Sequence, residues 1–261
     1  MNISVCIKQV PETTKIKINP DTNTLIREGV QSIINPFDLY ALEEGVRLKE
    51  AHGGTVRVLT MGPPQAEAAL REAISLGADE AFLVSDRAFA GADTWVTAYT
   101  LSAAIREMGQ TDLILCGKQA IDGDTAQVGP SLAEHLGIPF VAFARKIRSV
   151  GSDEVTVERM FEEGFEVVRM PLPGLLTVVK DINEPRLPSL KGKMRAKKAE
   201  IAAIGRQDVE VQDQFLGLDG SPTRVVKMFS PDLRRSGVKW QEDPEEMAKK
   251  LVEGLKEQGI I

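Results

Sequence analysis

The sequence predicts an α/β protein with a doubly wound, mostly parallel sheet, helices on both faces, an antiparallel extension and a C-terminal arm. Two observations lead to this fold class. Strand-like segments alternate with segments of helical periodicity through the first half of the chain, which is typical of parallel strands joined by crossover helices. The run Leu113–Cys116 is short, apolar and bounded by polar residues, as in a strand buried on both faces.

The chain begins with alternating apolar residues, which predict a first strand that Pro11 terminates. Residues 15–28 have the pattern of a short hairpin, and we interpret them as a decoration of the fold. The first helix is predicted to have Asn35 as its N-cap and Pro36 as its first residue.

Two further strands are predicted at residues 55–61 and 80–85. Between them the turn Met61–Pro64 leads into an alanine-rich helix over Gln65–Leu76, which Gly77 ends.

The loop SDRAFAGADT, residues 85–94, is rich in small residues and leads to a helix predicted over Trp95–Met108. The stretch DLILCGKQAIDGDTAQVGPSLAEHL, residues 112–136, repeats this order of strand, polar loop and helix. Because the carboxyl ends of parallel strands meet at one edge of a sheet, four loops are expected to converge there.

The loop 117–129 contains glycines, short polar side chains and hardly any bulky apolar residue. The following helix would point its N-terminal N–H groups and positive dipole end at this loop, an arrangement that suits a phosphate or pyrophosphate. The alternative is that the segment is only a long connection. It is neither a Walker loop nor a GxGxxG fingerprint, so pattern alone supports an unspecified anionic ligand.

Beyond Pro139, residues 154–161 and 165–170 alternate like an antiparallel hairpin, and residues 172–181 predict another strand of the same sheet. From Asn183 onward the chain is basic and then polar, and it ends in a short amphipathic helix predicted over Pro244–Gln258. We interpret this part as an arm and not as a second core.

Composition narrows the class of protein. The 261 residues are 43% hydrophobic, with no apolar stretch long enough to cross a bilayer and no signal-peptide pattern at the N-terminus, so we expect a cytoplasmic globular protein without membrane insertion. Cys6 and Cys116 have no CxxC spacing, and with only two histidines no metal site is expected. A net charge of −6 argues against nucleic-acid binding.

Five segments together resemble the β subunit of electron-transfer flavoproteins, in order along nearly the whole chain. They are VCIKQVPETT, INPFDLYALEEGVRLKE, TMGPPQAEAALREAISLGAD, GKQAIDGDTAQVGP and NEPRLPSLKGKMRAKK. In that family the subunit holds an adenine nucleotide, which is AMP in respiratory members and a whole FAD in flavin-bifurcating members.

The resemblance implies a set of nucleotide-binding residues in this chain. Lys8, Asp38 and Asp122 could each also be purely structural, and Asp38 lies in the first turn of a predicted helix, where any carboxylate is favourable. The implied residues are Cys6, Lys8, Asn35, Pro36, Phe37, Asp38, Met61, Gly62, Gly117, Lys118, Gln119, Ala120, Ile121, Asp122, Gly123, Asp124, Thr125, Ala126, Gln127 and Val128.

The loop DRAFAGADT is similar to that of the flavin-bifurcating members and differs from the less glycine-rich segment of the respiratory members. The resemblance therefore implies FAD as the cofactor, with Arg87 and Asp93 near its isoalloxazine. The loop residues implied to bind it are Arg87, Ala90, Gly91, Ala92, Asp93 and Thr94.

The basic run Arg186–Lys198 has three interpretations, namely a solvated face, a nucleic-acid patch or a partner-docking segment. Without interleaved aromatic residues, nucleic acid is the weakest of them. The resemblance implies docking to a dehydrogenase through Leu190, with Lys191, Lys193 and Arg195 around it.

The implied function is that of an electron-transfer component without catalytic side chains of its own. With an α subunit it would take electrons from NADH onto FAD and divide them between ferredoxin or flavodoxin and a flavin-dependent dehydrogenase. Residues 1–182 would form the flavin-binding domain, and residues 183–261 the recognition loop and an arm packing on the partner subunit. The alternatives are a subunit that holds structural AMP and, less favoured, a UspA-like nucleotide-binding protein.

Overall fold

The structure is a computed structural model that describes residues 1–12, 32–226, 237 and 239–261. The chain forms two compact units, Met1–Val226 and Lys227–Ile261. The hairpin predicted at residues 15–28 lies outside the described residues.

In the described part of the first unit, nine strands form one sheet and two short strands form a second, antiparallel sheet. The strands are β1 (Asn2–Cys6), β2 (Gln9–Pro11), β3 (Ser32–Ile34), β4 (Thr55–Met61), β5 (Glu80–Val84), β6 (Leu113–Gly117), β7 (Phe140–Val150), β8 (Glu154–Phe161), β9 (Gly164–Pro171), β10 (Gly174–Val178) and β11 (Ala202–Ile204).

Five of the six α-helices in the described residues lie close to the predicted ones, whereas the helix over residues 190–198 is not predicted, because Gly192 and a run of basic residues hide its periodicity. The six helices are α1 (Pro36–His52), α2 (Glu67–Leu76), α3 (Thr94–Glu107), α4 (Val128–Leu136), α5 (Leu190–Lys198) and, in the second unit, α6 (Pro244–Glu257). Gly77 and Gly137 end α2 and α4 with positive φ, as their sequence positions predict.

The strand order of the large sheet is β11-β5-β4-β1-β6-β10-β7-β8-β9. The strands from β11 to β7 are parallel, whereas β8 and β9 extend the sheet with antiparallel pairing. The chain proceeds from β1 to β4 on one side and later from β6 to β10 on the other. This reversal beside β1 is the switch point at which doubly wound sheets bind ligands.

Apolar side chains of the central strands alternate between two core clusters. Leu113 and Leu115 of β6 belong to the cluster that includes residues of α1 and α2, while Ile114 and Cys116 belong to the cluster that includes residues of α3 and α4. Helices therefore cover both faces of the sheet. The predicted fold class is confirmed.

Three strands are missing from the prediction, namely β3, β7 and β11, and the predicted strand β10 lies away from the hairpin that precedes it in the sequence. Strand β7 is not predicted, because charged residues and two register shifts interrupt its alternation. Strand β11 is a three-residue edge strand beside β5. Strand β10 is predicted, but it lies inside the parallel part of the sheet, between β6 and β7.

The basic segment after Asn183 folds back on the sheet domain. Helix α5 packs on α2, with Ala196 buried and the Arg195 guanidinium donating to the carbonyl groups of Ile74 and Ala78 at 2.7 and 2.6 Å. Residues 202–204 then join the sheet. The predicted division at residue 182 stays a prediction, with the arm contributing one strand to the sheet.

Candidate functional site

A cavity of about 950 Å³ lies at the carboxyl edge of the parallel strands. Four loops enclose it, those that follow β1, β4, β5 and β6, as the strand order predicts. The wall is formed by Cys6, Ile7, Lys8, Asp38, Met61–Pro64, Val84–Arg87, Phe89–Thr94, Thr97, Leu101, Cys116–Ala120 and Gly123–Gly129.

Most of the residues predicted to bind the nucleotide lie on this wall. Five predicted residues do not, namely Asn35, Pro36, Phe37, Ile121 and Asp122. Three of them contact wall residues: Asn35 bonds to Gln119, the Phe37 ring lies near the Lys118 ammonium, and Asp122 pairs with Lys8. That any of these residues binds a nucleotide stays a prediction.

The start of α1 holds the loop 117–129 in place. Asn35 is fully buried, and its side chain donates to the carbonyl oxygen of Gln119 at 2.8 Å and accepts the N–H of Ile121 at 3.1 Å. Asn35 precedes the helix as predicted, but it makes no capping bond with its side chain. Its side chain fixes the cavity loop instead.

Gly117 permits the close approach of β6 to the start of α1. A Cβ atom at this position would lie 2.3 Å from Oδ1 of Asp38 and 2.6 Å from the carbonyl carbon of Phe37. Gly123, by contrast, has no positive φ, and a Cβ atom there would have no neighbour within 4 Å.

Two residues without the freedom of glycine adopt positive φ in the same loop. Asp124 and Ala126 both have φ of 54°. The Asp124 N–H donates to the carbonyl oxygen of Ala120 at 2.9 Å, and its carboxylate accepts a hydrogen bond from the Gln119 side chain. Backbone strain of this kind concentrates at ligand sites. The loop therefore has the features of a preformed cradle.

Asp38 is a buried carboxyl group on the cavity wall. It accepts the N–H of Lys8 at 2.7 Å. Burial raises the pKa of Asp38 to about 7, although hydrogen bonds from the Asn35 side chain and from the N–H groups of Lys8 and Gly117 oppose the shift. Asp38 thus joins the ends of β1 and β6 to the start of α1.

Three cationic side chains lie on the wall. The Lys8 ammonium pairs with Asp122, at 2.6 Å from Oδ1, so this cation already has a carboxylate partner. Lys118 and Arg87 make no ion pair with a carboxylate in the part of the chain that the structure describes. The Lys118 ammonium lies 5.6 Å from the ring centre of Phe37. Two cations are therefore available for an anion.

The second loop, Arg87–Thr94, faces the first across the cavity. Asp93 caps α3, which begins one residue earlier than predicted, by accepting the N–H of Val96 at 3.0 Å. The Thr94 hydroxyl lies 3.4 Å from the hydroxyl of Thr125 and links the two loops. The N-termini of α3 and α4 both point their dipoles toward the cavity.

Much of the remaining wall is apolar. Cys6 and Cys116 are free, buried and paired in register on β1 and β6. A hydrogen bond with Cys6, together with burial, raises the pKa of the Cys116 thiol well above its ordinary value. Among the described residues no group of histidine, cysteine and carboxylate side chains is arranged to hold a metal ion.

Sequence reasoning missed eleven wall residues. Most of them directly flank the predicted loops. The ends of the predicted strands are therefore the feature of the sequence that could have identified them. They are Ile7, Pro63, Pro64, Val84, Ser85, Asp86, Phe89, Thr97, Leu101, Cys116 and Gly129.

The predicted docking residues lie on α5. Leu190 is 78% exposed at the first residue of the helix, and Met194 one turn later is 57% exposed. Lys191, Lys193 and Arg195 are also exposed, and the Arg195 guanidinium is in addition bonded to carbonyl groups at the end of α2. None of the helices in the described residues has the length and apolar character needed to cross a membrane.

Comparison with known proteins assigns the family. Residues 22–209 match the model of the electron transfer flavoprotein domain. The chain is 52% identical to the electron transfer flavoprotein subunit beta of Thermoanaerobacterium thermosaccharolyticum and 47% identical to that of Megasphaera elsdenii, over all of both chains in each case. It is also 47% identical, again over all of both chains, to the caffeyl-CoA reductase-Etf complex subunit CarD of Acetobacterium woodii. The chain therefore belongs to the electron transfer flavoprotein family, as a β subunit.

Proposed function

We propose that this β subunit holds FAD in the cavity between its two long loops and, with an α subunit, takes electrons from NADH. The electrons would then leave separately, one toward a low-potential carrier such as ferredoxin or flavodoxin and the other toward a flavin-dependent dehydrogenase. NADH oxidation would require the αβ complex with its partner.

One observation carries the choice of FAD, which is the extent of the cavity. Its wall includes the loop Gly117–Gly129 and, opposite, the loop Arg87–Thr94. Its volume of about 950 Å³ is near the upper end of the range of about 300–1,000 Å³ for small-molecule sites. A dinucleotide would reach both loops, whereas a mononucleotide would leave one of them without a ligand.

The polar groups of the wall fit the phosphates of such a ligand. The ammonium of Lys118 and the guanidinium of Arg87 have no carboxylate partner among the described residues, and the N-termini of α3 and α4 add N–H groups. Gln127 and Thr125 offer amide and hydroxyl groups to a ribose or ribityl chain. The phosphates and the hydroxyl groups of the ligand would therefore have hydrogen-bonding partners on the cavity wall.

The apolar groups fit flat aromatic rings. Met61, Phe89 and Leu101 line the cavity beside Val84 at the end of β5. When bound, the flavin would accept a hydride and release electrons singly, which is chemistry that no side chain of this cavity supplies. The residues of this chain would orient the ring, exclude water and set the charge around it.

The proposed partners follow from the family and from the surface. The relative CarD is, by its name, a subunit of a reductase-Etf complex. In this chain Leu190 projects from α5 among Lys191 and Lys193, which suits an acidic partner with an apolar pocket. We propose that residues 183–261 serve the α subunit and a dehydrogenase, while residues 1–182 bind the flavin.

A second candidate is a subunit that holds structural AMP and oxidises no NADH. The loop Gly117–Gly129, with its strained residues and the N-terminus of α4, supports a mononucleotide equally well. The extent of the cavity toward Arg87 favours FAD over this candidate.

Counting the cofactors decides between the two. The chain would be co-produced with its α subunit, and FAD and AMP would be quantified after denaturation of the purified complex. Two FAD molecules per αβ pair, both reduced on titration with NADH, support the proposal. One FAD with stoichiometric AMP, and no reaction with NADH, contradicts it.

A further inference from the structure

The cavity loop Arg87–Thr94 is packed against a segment more than 120 residues later in the chain, Leu216–Thr223. The Leu218 N–H donates to the carbonyl oxygen of Ala90 at 3.0 Å. Gly91 has φ of +78°, and a Cβ atom there would lie 2.9 Å from Cβ of Leu218. The two stretches of backbone are therefore in direct contact.

A second glycine permits this contact from the other side. Gly217 has φ of +56°, and a Cβ atom there would lie 2.5 Å from the carbonyl oxygen of Ala88 and 2.9 Å from that of Ala90. A side chain at this position would push the segment away from the loop. The arrangement thus depends on glycine in both partners.

Asp93 is bonded to both the helix and the later segment. Its Oδ1 accepts the N–H of Val96, while its Oδ2 accepts the N–H of Thr223 at 3.0 Å and the Thr223 hydroxyl at 2.8 Å. Burial acts to raise the pKa of Asp93, but the hydrogen bonds from Val96 and Thr223 outweigh it and lower the pKa. Both carboxylate oxygens are therefore occupied within the chain.

Ser221 completes the connection on the backbone of Asp93. Its hydroxyl oxygen accepts the Asp93 N–H at 2.8 Å and donates to the carbonyl oxygen of Gly217 at 2.7 Å. The residue is only 8% exposed. One hydroxyl group is thus the hydrogen-bond partner of the Asp93 N–H at the start of α3 and of the Gly217 carbonyl group in the later segment.

We infer that Ser221 and Thr223 are positioning residues of the cavity. They fix Asp93, and through it the loop Arg87–Thr94 and the N-terminus of α3, in the shape that a ligand meets. Neither residue lines the cavity. The inference about the loop stands on these contacts, and only its consequence for FAD rests on the proposed function.

Hydrogen exchange of the αβ complex tests the loop directly. Thr223→Val keeps the shape and the N–H but removes the hydroxyl, and Ser221→Ala removes the second hydroxyl. In each variant the backbone amides of residues 87–94 should exchange faster by a factor of about ten or more. This factor corresponds to the loss of one hydrogen bond to a charged or buried partner. Thr223→Ser should restore the wild-type rate. Unchanged exchange in both folded variants would overturn the inference.

A matched control uses a buried hydroxyl group within α3, the helix that Asp93 caps. Ser102 is fully buried in α3, donates to the carbonyl oxygen of Tyr99 at 2.7 Å and does not line the cavity. Ser102→Ala should leave the exchange of residues 87–94 unchanged. Equal acceleration in this variant would show a general loosening of α3 and would also overturn the inference.

Flavin binding gives a second and separate measurement. With FAD as the probe, the dissociation constant at the β site should rise about tenfold in Thr223→Val, and the visible circular dichroism of the bound flavin should change. Thr223→Ser should restore both. If the wild-type complex binds no FAD at this site, the proposed function fails, while the exchange experiment still decides on the positioning residues.

Discussion

The buried side chain of Asn35 accepts the backbone N–H of Ile121 at 3.1 Å, although 86 residues separate them in the sequence. The same side chain donates to the carbonyl oxygen of Gln119. The residue before α1 therefore determines the position of the loop that follows β6, and the cavity depends on a residue outside its wall.

Asn35→Ala should destabilise the chain and weaken nucleotide retention together. It removes both partners and leaves the backbone groups of Gln119 and Ile121 unpaired, at a cost of about 1–3 kcal/mol for each group that stays buried. Urea unfolding and nucleotide content after dialysis measure the two effects. Asn183→Ala is the control, because Asn183 also bonds to α1, through Tyr40, away from the cavity. Equal nucleotide loss in both variants would contradict the prediction.

Gly117 and Gly123 should respond differently to added side chains. Gly117→Ala places a Cβ atom 2.3 Å from Oδ1 of Asp38, and such overpacking typically costs about 1–3 kcal/mol. Gly123 has no atom within 4 Å of an added Cβ, so Gly123→Val should fold normally and lose nucleotide only if the ligand approaches the loop there. Urea unfolding and nucleotide content distinguish these outcomes. A stable Gly117→Ala variant would show that the start of α1 can move.

The regular part of the fold was predictable because local signals agreed. Proline at the start of α1, Asp93 before α3 and glycine after α2 each satisfy a helix end with nearby residues. Strand β6 is continuous and apolar because helices cover both of its faces. The convergence of four loops then follows from the order of elements.

The features missed by the prediction depend on distant contacts. Strand β7 carries Arg145 and Arg148, which pair with Glu158 on β8, so its charges are explained only by the neighbouring strand. The bonds of Ser221 and Thr223 to Asp93 join residues about 130 positions apart, and neither residue stands in a recognisable motif. Sequence periodicity carries no information about such pairs.

Acid should remove the contribution of the ion pair between Glu43 and Arg186. Burial opposes ionisation of Glu43, but hydrogen bonds from Arg186 and Arg47 outweigh it and hold the pKa of Glu43 below its usual 4.5. A lowered pKa means that the stabilisation is fully present above pH 4.5 and is lost as the pH falls through the folded-state pKa. The difference in unfolding free energy between wild type and Arg186→Gln should therefore shrink below about pH 4.5.

Urea unfolding at several pH values between 3 and 7 measures this difference. Arg169→Gln is the control, since Arg169 pairs with Glu154 at 3.7 Å on an exposed surface, where such a pair contributes about 0–1 kcal/mol. A difference for Arg186→Gln that stays constant down to pH 3 would show that the pair does not titrate with folding.

Leu190→Ala should leave cofactor content and stability unchanged but slow electron transfer to the partner dehydrogenase. Leu190 is 78% exposed, so truncation removes little packing within the chain, while an interface anchor typically costs ~2 kcal/mol or more. The rate of electron transfer at low dehydrogenase concentration is the measurement. Leu187, which is 89% exposed just before the helix, provides the control. Equal slowing by Leu187→Ala would assign the effect to the whole segment and not to an anchor at Leu190.

Arg87→Ala should weaken FAD binding at the β site while the α-subunit flavin remains bound and reducible by an artificial donor. Arg87 is exposed on the cavity wall and has no carboxylate partner among the described residues, so its guanidinium is available to an anionic ligand. Loss of one charge-assisted hydrogen bond corresponds to about tenfold or more in the dissociation constant. Arg87→Lys should recover only part of this affinity, because an ammonium lacks the two-pronged geometry of the guanidinium.

Asp93→Ala should also weaken binding of FAD, but through the shape of the loop, since Val96 and Thr223 occupy its carboxylate. Titrations with FAD and then NADH measure both steps, with Arg169→Ala as an exposed control. Wild-type affinity and NADH reduction in Arg87→Ala would remove this residue from the flavin site.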